Sequence, residues 1–201
     1  MIEADIRAHA GRFNLAARVN GSGVTCVAGR NGAGKTTLLR AMAGFIRIDE
    51  GHLLVGGVDV TRLPVEKRGV VLVTPGSALQ HMDVDSHLVW GRKLIGKQIQ
   101  YDQVSRVKSE LGIDFGGRVG KLSLGMSERV SLATALLAEP KAIFVDEAFA
   151  SLHDREEFIR AYGRLLVGAR IDLVFSSQDA ADGKLADNVY LIDEGVTTRS
   201  S

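Results

Sequence analysis

The sequence contains one cysteine, no long apolar run and no excess of either charge. A single thiol cannot build an internal disulfide framework, and Cys26 lies in the apolar run GVTCVAG, which predicts a buried strand position. No stretch reaches the roughly 18 apolar residues that a membrane span requires. The segment MIEADIRAHAGRF lacks the apolar centre of a signal peptide. We therefore expect a cytosolic protein whose attachment to a membrane depends on a partner.

The balance of charges disfavours a nucleic acid as partner. Lysine and arginine total 25 against 24 aspartates and glutamates, a net charge of +1, whereas nucleic-acid-binding domains usually carry a clear basic excess. The five histidines lack the close spacing of metal ligands, so we expect surface or loop positions for them. A length of 201 residues suits a single domain with a substantial core.

Apolar runs alternate with segments of helical spacing along most of the chain. Strands are predicted at GVTCVA, GHLLVGGVDV, GVVLV, KAIFVDE, DLVFSS and, as the last strand, DNVYLID. Helices are predicted at TTLLRAMAG, which Gly44 ends, at REEFIRAYGRLLVG, and at SERVSLATALLAE, whose apolar face comprises Val130, Ala133, Leu136 and Leu137. This alternation predicts an α/β fold with a mostly parallel sheet.

The pattern changes between Thr74 and about Gly120, where apolar residues are sparser and their spacing is helical. We interpret this stretch as a helical insertion with a polar surface. The predicted organisation is therefore one domain over 1–201, with a core over 1–73 and 128–201 and a helical subdomain over about 74–127.

The segment GRNGAGKTT, from Gly29 to Thr37, matches the phosphate-binding pattern G-x-x-x-x-G-K-[ST]. A predicted strand precedes it and a predicted helix follows it, as a phosphate loop requires. Glycines let the backbone wrap closely around phosphate, and the positive end of the helix dipole then faces the anion. The alternative is a glycine turn with an exposed lysine. The predicted ligand-binding residues are Gly29, Asn31, Gly32, Ala33, Gly34, Lys35, Thr36 and Thr37.

Within this loop, Lys35 is expected to reach the β- and γ-phosphates of a nucleotide, and Thr36 to offer a hydroxyl to Mg²⁺. A second part of the site is predicted at AIFVDE, where a buried strand delivers Asp146 and Glu147 to the carboxyl edge of the sheet. Asp146 would hold Mg²⁺ through a water, and Glu147 could orient the attacking water as a general base. Taken alone, such a pair could also be a helix cap.

The order of glycine loop, helical insertion, LSLGMSERVSLATALL and VDEAFASLHD resembles that of the ATP-binding cassette ATPases over nearly the whole chain. LPVEKRGVVLV and LQHMDVDSHLVWG are most similar to importer subunits of the molybdate and tungstate group. The resemblance implies a P-loop NTPase fold with an antiparallel β portion beside the parallel sheet. It also implies a head-to-tail pair of subunits around two ATP molecules, in which Ser123 and Gly125 of one subunit contact the γ-phosphate held by the other.

Several positions depart from the family pattern. The signature LSGGQ reads LSLGM here, with Leu124 where close backbone approach is wanted and Met126 in place of a polar group. Thr74 replaces the glutamine that touches Mg²⁺ and water, His153 replaces an aspartate, and Gln178 replaces the switch histidine. Gln178 can still hydrogen-bond a γ-phosphate, although it carries no charge. We therefore expect ATP and Mg²⁺ to bind and hydrolysis to be slow.

The family's adenine-stacking aromatic residue aligns near Ala10. His9 and Phe13 are the two nearby residues that could replace it, and the sequence does not choose between them.

Two functions remain open. One is the ATPase subunit of an importer, held at the inner face of the cell membrane by a permease that docks between Ser77 and Leu94. The other is a degenerate cassette that binds ATP with little turnover and acts as a regulator or as half of a heterodimer. A soluble cassette of DNA repair or translation and a small-molecule kinase are weaker alternatives, and the sequence leaves open homodimer or heterodimer.

Overall fold

The computed structural model describes residues 1–200, whose strands form one ten-stranded sheet in the order β5-β4-β1-β2-β10-β9-β3-β8-β7-β6. The strands are β1 Ile2–Ala10, β2 Phe13–Gly21, β3 Val24–Ala28, β4 Glu50–Val55, β5 Val58–Asp59, β6 Val70–Val73, β7 Ala142–Val145, β8 Asp172–Ser177, β9 Asn188–Asp193 and β10 Val196–Arg199. The α-helices are α1 Lys35–Ala43, α2 Val84–Leu94, α3 Tyr101–Glu110, α4 Leu124–Leu137 and α5 Arg155–Ala169. No helix within residues 1–200 has both the length and the apolar character that crossing a membrane demands.

One half of the sheet is parallel. β6 pairs with β7, β7 with β8, β8 with β3, and β3 with β9, all in parallel. Every residue of β3, β7 and β8 is buried, because helices cover both faces of a parallel sheet. The predicted strands and the α/β class are confirmed, and so is the buried strand position of Cys26, where burial raises the pKa of the thiol to about 12.

The other half is antiparallel except where β10 meets β2 in parallel, and most of it was not predicted strand by strand. β1 pairs antiparallel with β2 and with β4, and β4 pairs with β5. In β1 the buried side chains recur at every second residue, as expected for a strand with one solvated face. The prediction that DNVYLID is the last strand was wrong, because β10 follows it. Glu194 and Gly195 both have positive φ (47° and 82°), as a two-residue hairpin turn of type I′ requires.

Helix α4 differs from its prediction. It was expected to be amphipathic, but every residue from 130 to 137 is buried. The helix packs against α2 and α3, and from α5 the hydroxyl of Tyr162 donates to Leu132 O at 2.9 Å. Helices on several sides leave no solvated face, and Thr134 is accommodated because its hydroxyl donates to Val130 O at 2.8 Å. The prediction that α4 is amphipathic was therefore wrong for residues 130–137, where the helix has no polar face toward solvent.

His87 also departs from the expected surface position, since it is buried on α2. Its Nε2 accepts the N–H of Leu79 at 2.9 Å, which places the ring proton on Nδ1, 2.7 Å from the hydroxyl of Thr134. Burial lowers the pKa of His87, so the neutral ring is favoured. The histidine thus joins the loop before α2 to helix α4 and has a structural role.

Arg68 is the buried group on which the end of α1 depends. Its guanidinium donates to the carbonyls of Ala41 and Met42 at 3.1 and 3.0 Å, and to those of Thr61 and Leu63 at 3.0 and 2.9 Å. The first two are among the last carbonyls of α1, which lack partners within the helix. A cation at this end of a helix is also favoured by the helix dipole.

Replacement of Arg68 by methionine is expected to lower the free energy of unfolding by about 3 kcal/mol or more, because it leaves buried carbonyls without a donor. Urea denaturation of the purified chain measures this. The matched control is Arg62→Met, which removes an exposed arginine that donates to Ile48 O and should cost less than about 1 kcal/mol. Equal stability of the two variants would contradict the prediction.

Candidate nucleotide-binding and catalytic site

Three segments that are far apart in the sequence meet at one edge of the parallel sheet. The glycine loop follows β3, Asp146 and Glu147 follow β7, and Gln178 follows β8. Because β3, β8 and β7 are parallel neighbours, their carboxyl ends lie side by side. The strand β6 contributes as well, since Val73 O accepts the N–H of Asp146 at 2.8 Å.

The loop after β3 has a backbone that requires glycine at three places. Gly32 and Gly34 have φ of 80° and 112°, in the left-handed region that L side chains rarely adopt. A Cβ on Gly29 would lie 2.4 Å from Ile192 O, and one on Gly34 would lie 2.8 Å from Cζ of Phe13. Helix α1 begins at Lys35, and no side chain within residues 1–200 caps its first amides. These amides therefore face the cleft as donors for an anion.

Lys35 is buried at the centre of the loop. Its side chain is 4% exposed, and Nζ donates to the carbonyls of Gly29 and Arg30 at 2.8 and 3.1 Å. Oε1 of Glu147 lies 3.6 Å from the same ammonium. The alternative reading of the motif, a turn with an exposed lysine, is therefore excluded. The buried cation is held between the loop and the carboxylate that follows β7.

The two carboxylates after β7 have different surroundings. Asp146 is 6% exposed, and its Oδ1 accepts the hydroxyl of Ser176 at 2.8 Å. Glu147 is more exposed, and its backbone has φ of 56°, which is unfavourable for a residue other than glycine. Nε2 of Gln178 donates to Oε1 of Glu147 at 3.2 Å. Glu147 thus lies between a buried ammonium and the amide of Gln178.

Most of the predicted ligand-binding residues surround one open cleft of about 380 Å³. Its lining comprises Phe13, Asn31, Gly32, Gly34, Lys35, Thr36, Thr37, Glu147 and Gln178. Among the predicted residues, Gly29, Ala33 and Asp146 are not part of this lining. Nine-tenths or more of Ala33 and Asp146 is hidden from solvent, and both are next to lining residues in the sequence.

Phe13 and His9, the two candidates for stacking on a base, lie in different surroundings. The ring of Phe13 lies against Gly34 and lines the cleft. His9 is exposed, and its Nδ1 lies 2.7 Å from a carboxylate oxygen of Asp49, outside the lining. The hydrogen bond from His9 holds the pKa of Asp49 below its usual range. The geometry therefore favours Phe13, whose flat apolar face suits a nucleobase.

Ser123 and Gly125 lie away from the cleft of their own chain, since neither belongs to the lining that residues 1–200 provide. Ser123 is the N-cap of α4, and its hydroxyl accepts the N–H of Met126 at 3.3 Å. A Cβ on Gly125 would lie 2.9 Å from Ser151 O. Leu124, between them, is 61% exposed. This segment therefore forms an exposed start of α4.

Thr74 and His153, two further altered positions, are also outside the lining of this cleft within residues 1–200. The backbone N–H of Thr74 donates to the hydroxyl of Ser77 at 2.8 Å, and the Thr74 hydroxyl lies 3.1 Å from the same oxygen. His153 is exposed. Asp154, one position later, forms an ion pair with Arg129 of α4, and this hydrogen bond lowers the pKa of Asp154.

The sequence analysis missed the group of polar residues that surrounds Gln178. Ser176 touches both carboxylate residues after β7, and the hydroxyl of Ser177 donates to Asp182 at 2.5 Å. Arg155 at the start of α5 pairs with Asp182 at 2.9 Å. The only available signal was the change from apolar LVF to polar SSQD at the end of a predicted strand.

The residues present fit Mg²⁺ and a polyphosphate. Thr36 and Asp146 offer a hydroxyl and a carboxylate, which are the hard oxygen ligands that Mg²⁺ prefers. Residues 1–200 contain no group of three or more histidine, cysteine, aspartate or glutamate side chains that could hold a metal by themselves. Mg²⁺ sites commonly use only one or two protein ligands, with water and phosphate oxygens completing the shell. The loop, whose left-handed backbone at Gly32 and Gly34 needs glycine, and the uncapped start of α1 fit the phosphates.

Comparisons with known proteins agree with this geometry. A family model described as ABC transporter matches residues 13–150. The molybdenum import ATP-binding protein ModC of Mesorhizobium japonicum is 34% identical over 212 residues, covering 99% of this chain and 57% of that protein. The molybdate/tungstate import ATP-binding protein WtpC of Pyrococcus abyssi is 40% identical over 131 residues, covering 63% of this chain and 38% of that protein. The chain thus spans less than two thirds of the length of these relatives.

Solved structures agree on the fold. The ATP-binding cassette MJ1267 of an ABC transporter superimposes with a TM-score of 0.79 at 22% identity, covering 99% of this chain and 90% of that one. The family model spans more than half of the chain, and the ModC alignment extends along nearly all of it. This chain therefore belongs to the ABC transporter family, as an ATP-binding cassette ATPase domain.

Proposed function

We propose that this chain binds ATP with Mg²⁺ and hydrolyses the nucleotide slowly, as the ATPase subunit of an importer for a small oxyanion. The observation that carries the proposal is the meeting of Lys35, Asp146 and Glu147 at one edge of the sheet. The names of the relatives, which import molybdenum, molybdate or tungstate, support the oxyanion class. Another relative, the putative 2-aminoethylphosphonate import protein PhnT of Salmonella typhimurium, is 31% identical over 183 residues, so the class of oxyanion stays open.

In the proposed mechanism the loop amides, the start of α1 and Lys35 hold the phosphates. Thr36 and Asp146 would hold Mg²⁺, and the ion would neutralise charge on the phosphate oxygens. Glu147 orients the attacking water as a general base, and its exposure to the cleft allows water to reach it. Gln178 positions Glu147 through their 3.2 Å contact and can donate to the γ-phosphate.

We further propose a pair of subunits. Ser123 and Gly125 do not line the cleft of their own chain, so they would complete the site of a second subunit. That subunit is either another copy of this chain or a different cassette. Such sharing explains why the start of α4 exposes Leu124 to solvent.

A permease partner is proposed for the region around α2. Trp90 and Leu94 are exposed large apolar side chains on this helix, and they suit contact with a membrane subunit that would hold the chain at the inner face of the membrane.

The proposed helical subdomain over about 74–127 includes α2 and α3, with the core over 1–73 and 128–201. Helix α4, Leu124–Leu137, crosses the proposed boundary at residue 128 and links the two parts.

The second candidate function is a degenerate cassette that binds ATP with little or no turnover. Two features favour it: the exposed Leu124 stands where the family signature LSGGQ has a glycine, and Gln178 lies beside Glu147 without a positive charge. In this case the chain would act as a regulator or as the weaker half of a heterodimer.

The first test replaces Lys35 and Glu147, whose charged groups lie 3.6 Å apart at the cleft. Lys35→Ala is expected to abolish ATP binding measured by calorimetry, because the buried cation is lost. Glu147→Gln is expected to retain binding and to lower steady-state phosphate release about 100-fold or more, since it removes the general base. Lys141→Ala and Glu157→Gln, which change exposed residues, serve as controls and should match the wild type. Equal phosphate release by all five proteins would remove the enzyme proposal, and tight ATP binding without turnover would favour the second candidate.

The second test restores a charged switch residue. Gln178→His is expected to raise the single-turnover rate about tenfold or more, because an imidazolium stabilises developing charge on the phosphate better than a neutral amide. Gln178→Ala should lower the rate, since it removes the donor to Glu147. Single-turnover measurement is chosen because a slow step after chemistry would hide the change in steady state. A histidine variant no faster than the alanine variant would contradict this role.

A further inference from the structure

Ser176 lies at the penultimate position of β8, and its side chain faces the strand end of β7. The residue is 4% exposed. Its hydroxyl donates to Oδ1 of Asp146 at 2.8 Å and accepts the backbone N–H of Glu147 at 3.0 Å. A serine hydroxyl has one donor and two acceptor sites, so both contacts can form at once. One buried side chain thus holds two consecutive residues of the proposed site.

Each of these contacts meets a specific need. Within residues 1–200, the Ser176 hydroxyl is the one hydrogen-bond partner of the Asp146 carboxylate, so it alone fixes which oxygen faces the sheet. Oδ2 has no partner there and remains available to a metal-bound water. The peptide of Glu147 has φ of 56°, a conformation that a non-glycine residue keeps only when its surroundings hold it. The bond from Glu147 N–H to Ser176 is such a restraint.

The neighbouring serine shows that polar residues at this strand end do not all act on the cleft. Successive side chains of a strand point to opposite faces. The hydroxyl of Ser177 accordingly donates to Asp182 and accepts the N–H of Asp179 at 3.0 Å, away from Asp146 and Glu147. Ser176 is therefore distinguished by its contacts and not by its position at the end of a strand.

We propose that Ser176 is a positioning residue that couples the metal-binding carboxylate of Asp146 to the placement of Glu147. This inference rests on the proposed function, which assigns Mg²⁺ to Asp146. Loss of the hydroxyl leaves a buried carboxylate without its donor and releases the peptide of Glu147, so Mg²⁺ affinity and water orientation decline together. Residues that orient a metal ligand in this way typically change metal affinity or activity about 10- to 100-fold.

The test compares Ser176→Thr with Ser176→Val, which have the same shape and differ in a hydroxyl against a methyl group. Both are β-branched and suit a strand, which protects the fold. The primary readout is ATP affinity by calorimetry, with Mg²⁺ and with EDTA. The quantity compared is the ratio of ATP affinity with Mg²⁺ to ATP affinity in EDTA. We expect this ratio to be unchanged in the threonine variant and about tenfold lower in the valine variant. Affinity in EDTA should be the same for both, since the phosphate loop is untouched.

Steady-state kinetics provide a second readout. Ser176→Val is expected to lower kcat about tenfold and to raise the Mg²⁺ concentration for half-maximal rate, with a smaller change in KM for ATP. Ser131→Ala is the control, because Ser131 is a buried serine of α4 without a hydrogen-bond partner in residues 1–200. Its kinetics should match the wild type.

The outcomes separate this inference from the proposed function. If the threonine and valine variants give the same Mg²⁺-dependent affinity, whether that of the wild type or a reduced one, Ser176 does not act through its hydroxyl and the inference is overturned. If the threonine and valine variants do not differ but Lys35→Ala and Glu147→Gln behave as expected, the proposed function stands and only the inference about Ser176 fails. If those two variants match the wild type, the proposed function itself fails.

Discussion

The parallel hydrogen bonding of β3 with β8 and of β8 with β7 is the constraint on which the site depends. In this register Ala28 pairs with Ser177 and Val145 pairs with Phe175, so the three strands end at nearly the same level. Burial of both faces of these strands favours this arrangement, because their residues are almost all apolar until the last positions. The hydrophobic core thereby fixes where the polar ends lie. Segments separated by more than 100 residues come within hydrogen-bonding distance of each other as a result.

The polar groups at this edge are held under conditions that are unfavourable for stability alone. Lys35 buries an ammonium whose nearest groups are two carbonyls and one carboxylate, and Glu147 keeps a left-handed backbone. Arg68 is a buried charge of another kind, since its guanidinium donates four hydrogen bonds to carbonyls, two of them at the end of α1, and has no carboxylate partner within residues 1–200. Natural proteins concentrate such local costs at functional sites. The left-handed backbone of Glu147 and the buried charge of Lys35 at one strand edge therefore favour a functional role for this edge.

The sequence predicted those parts of the molecule in which a short segment determines its own structure. Continuous apolar runs sufficed for β3, β7 and β8, and the glycine motif sufficed for the loop, because its glycines serve local backbone geometry. The hairpin of β1 and β2 was missed although its alternation is visible, since a strand with one solvated face carries no continuous apolar run. Predictions failed where packing partners decide, as on α4, whose polar residues are buried by neighbouring helices, and at His87. The contacts of Ser176 depend on the register of two strands, which no local pattern specifies.

The location of the altered family positions bears on what the alterations do. The residues proposed to bind the phosphates and the metal keep the family pattern, and they lie in or beside the cleft of a single chain. Leu124, Met126, Thr74 and His153 all lie outside the lining of that cleft within residues 1–200, and Gln178 alone among the altered positions lies inside it. Under the proposed function, the altered positions are therefore mostly those that would face another subunit or the permease. Under the same proposal, a partner cassette that supplies an unaltered LSGGQ segment would complete the site formed on this chain without using Leu124 or Met126 of this chain.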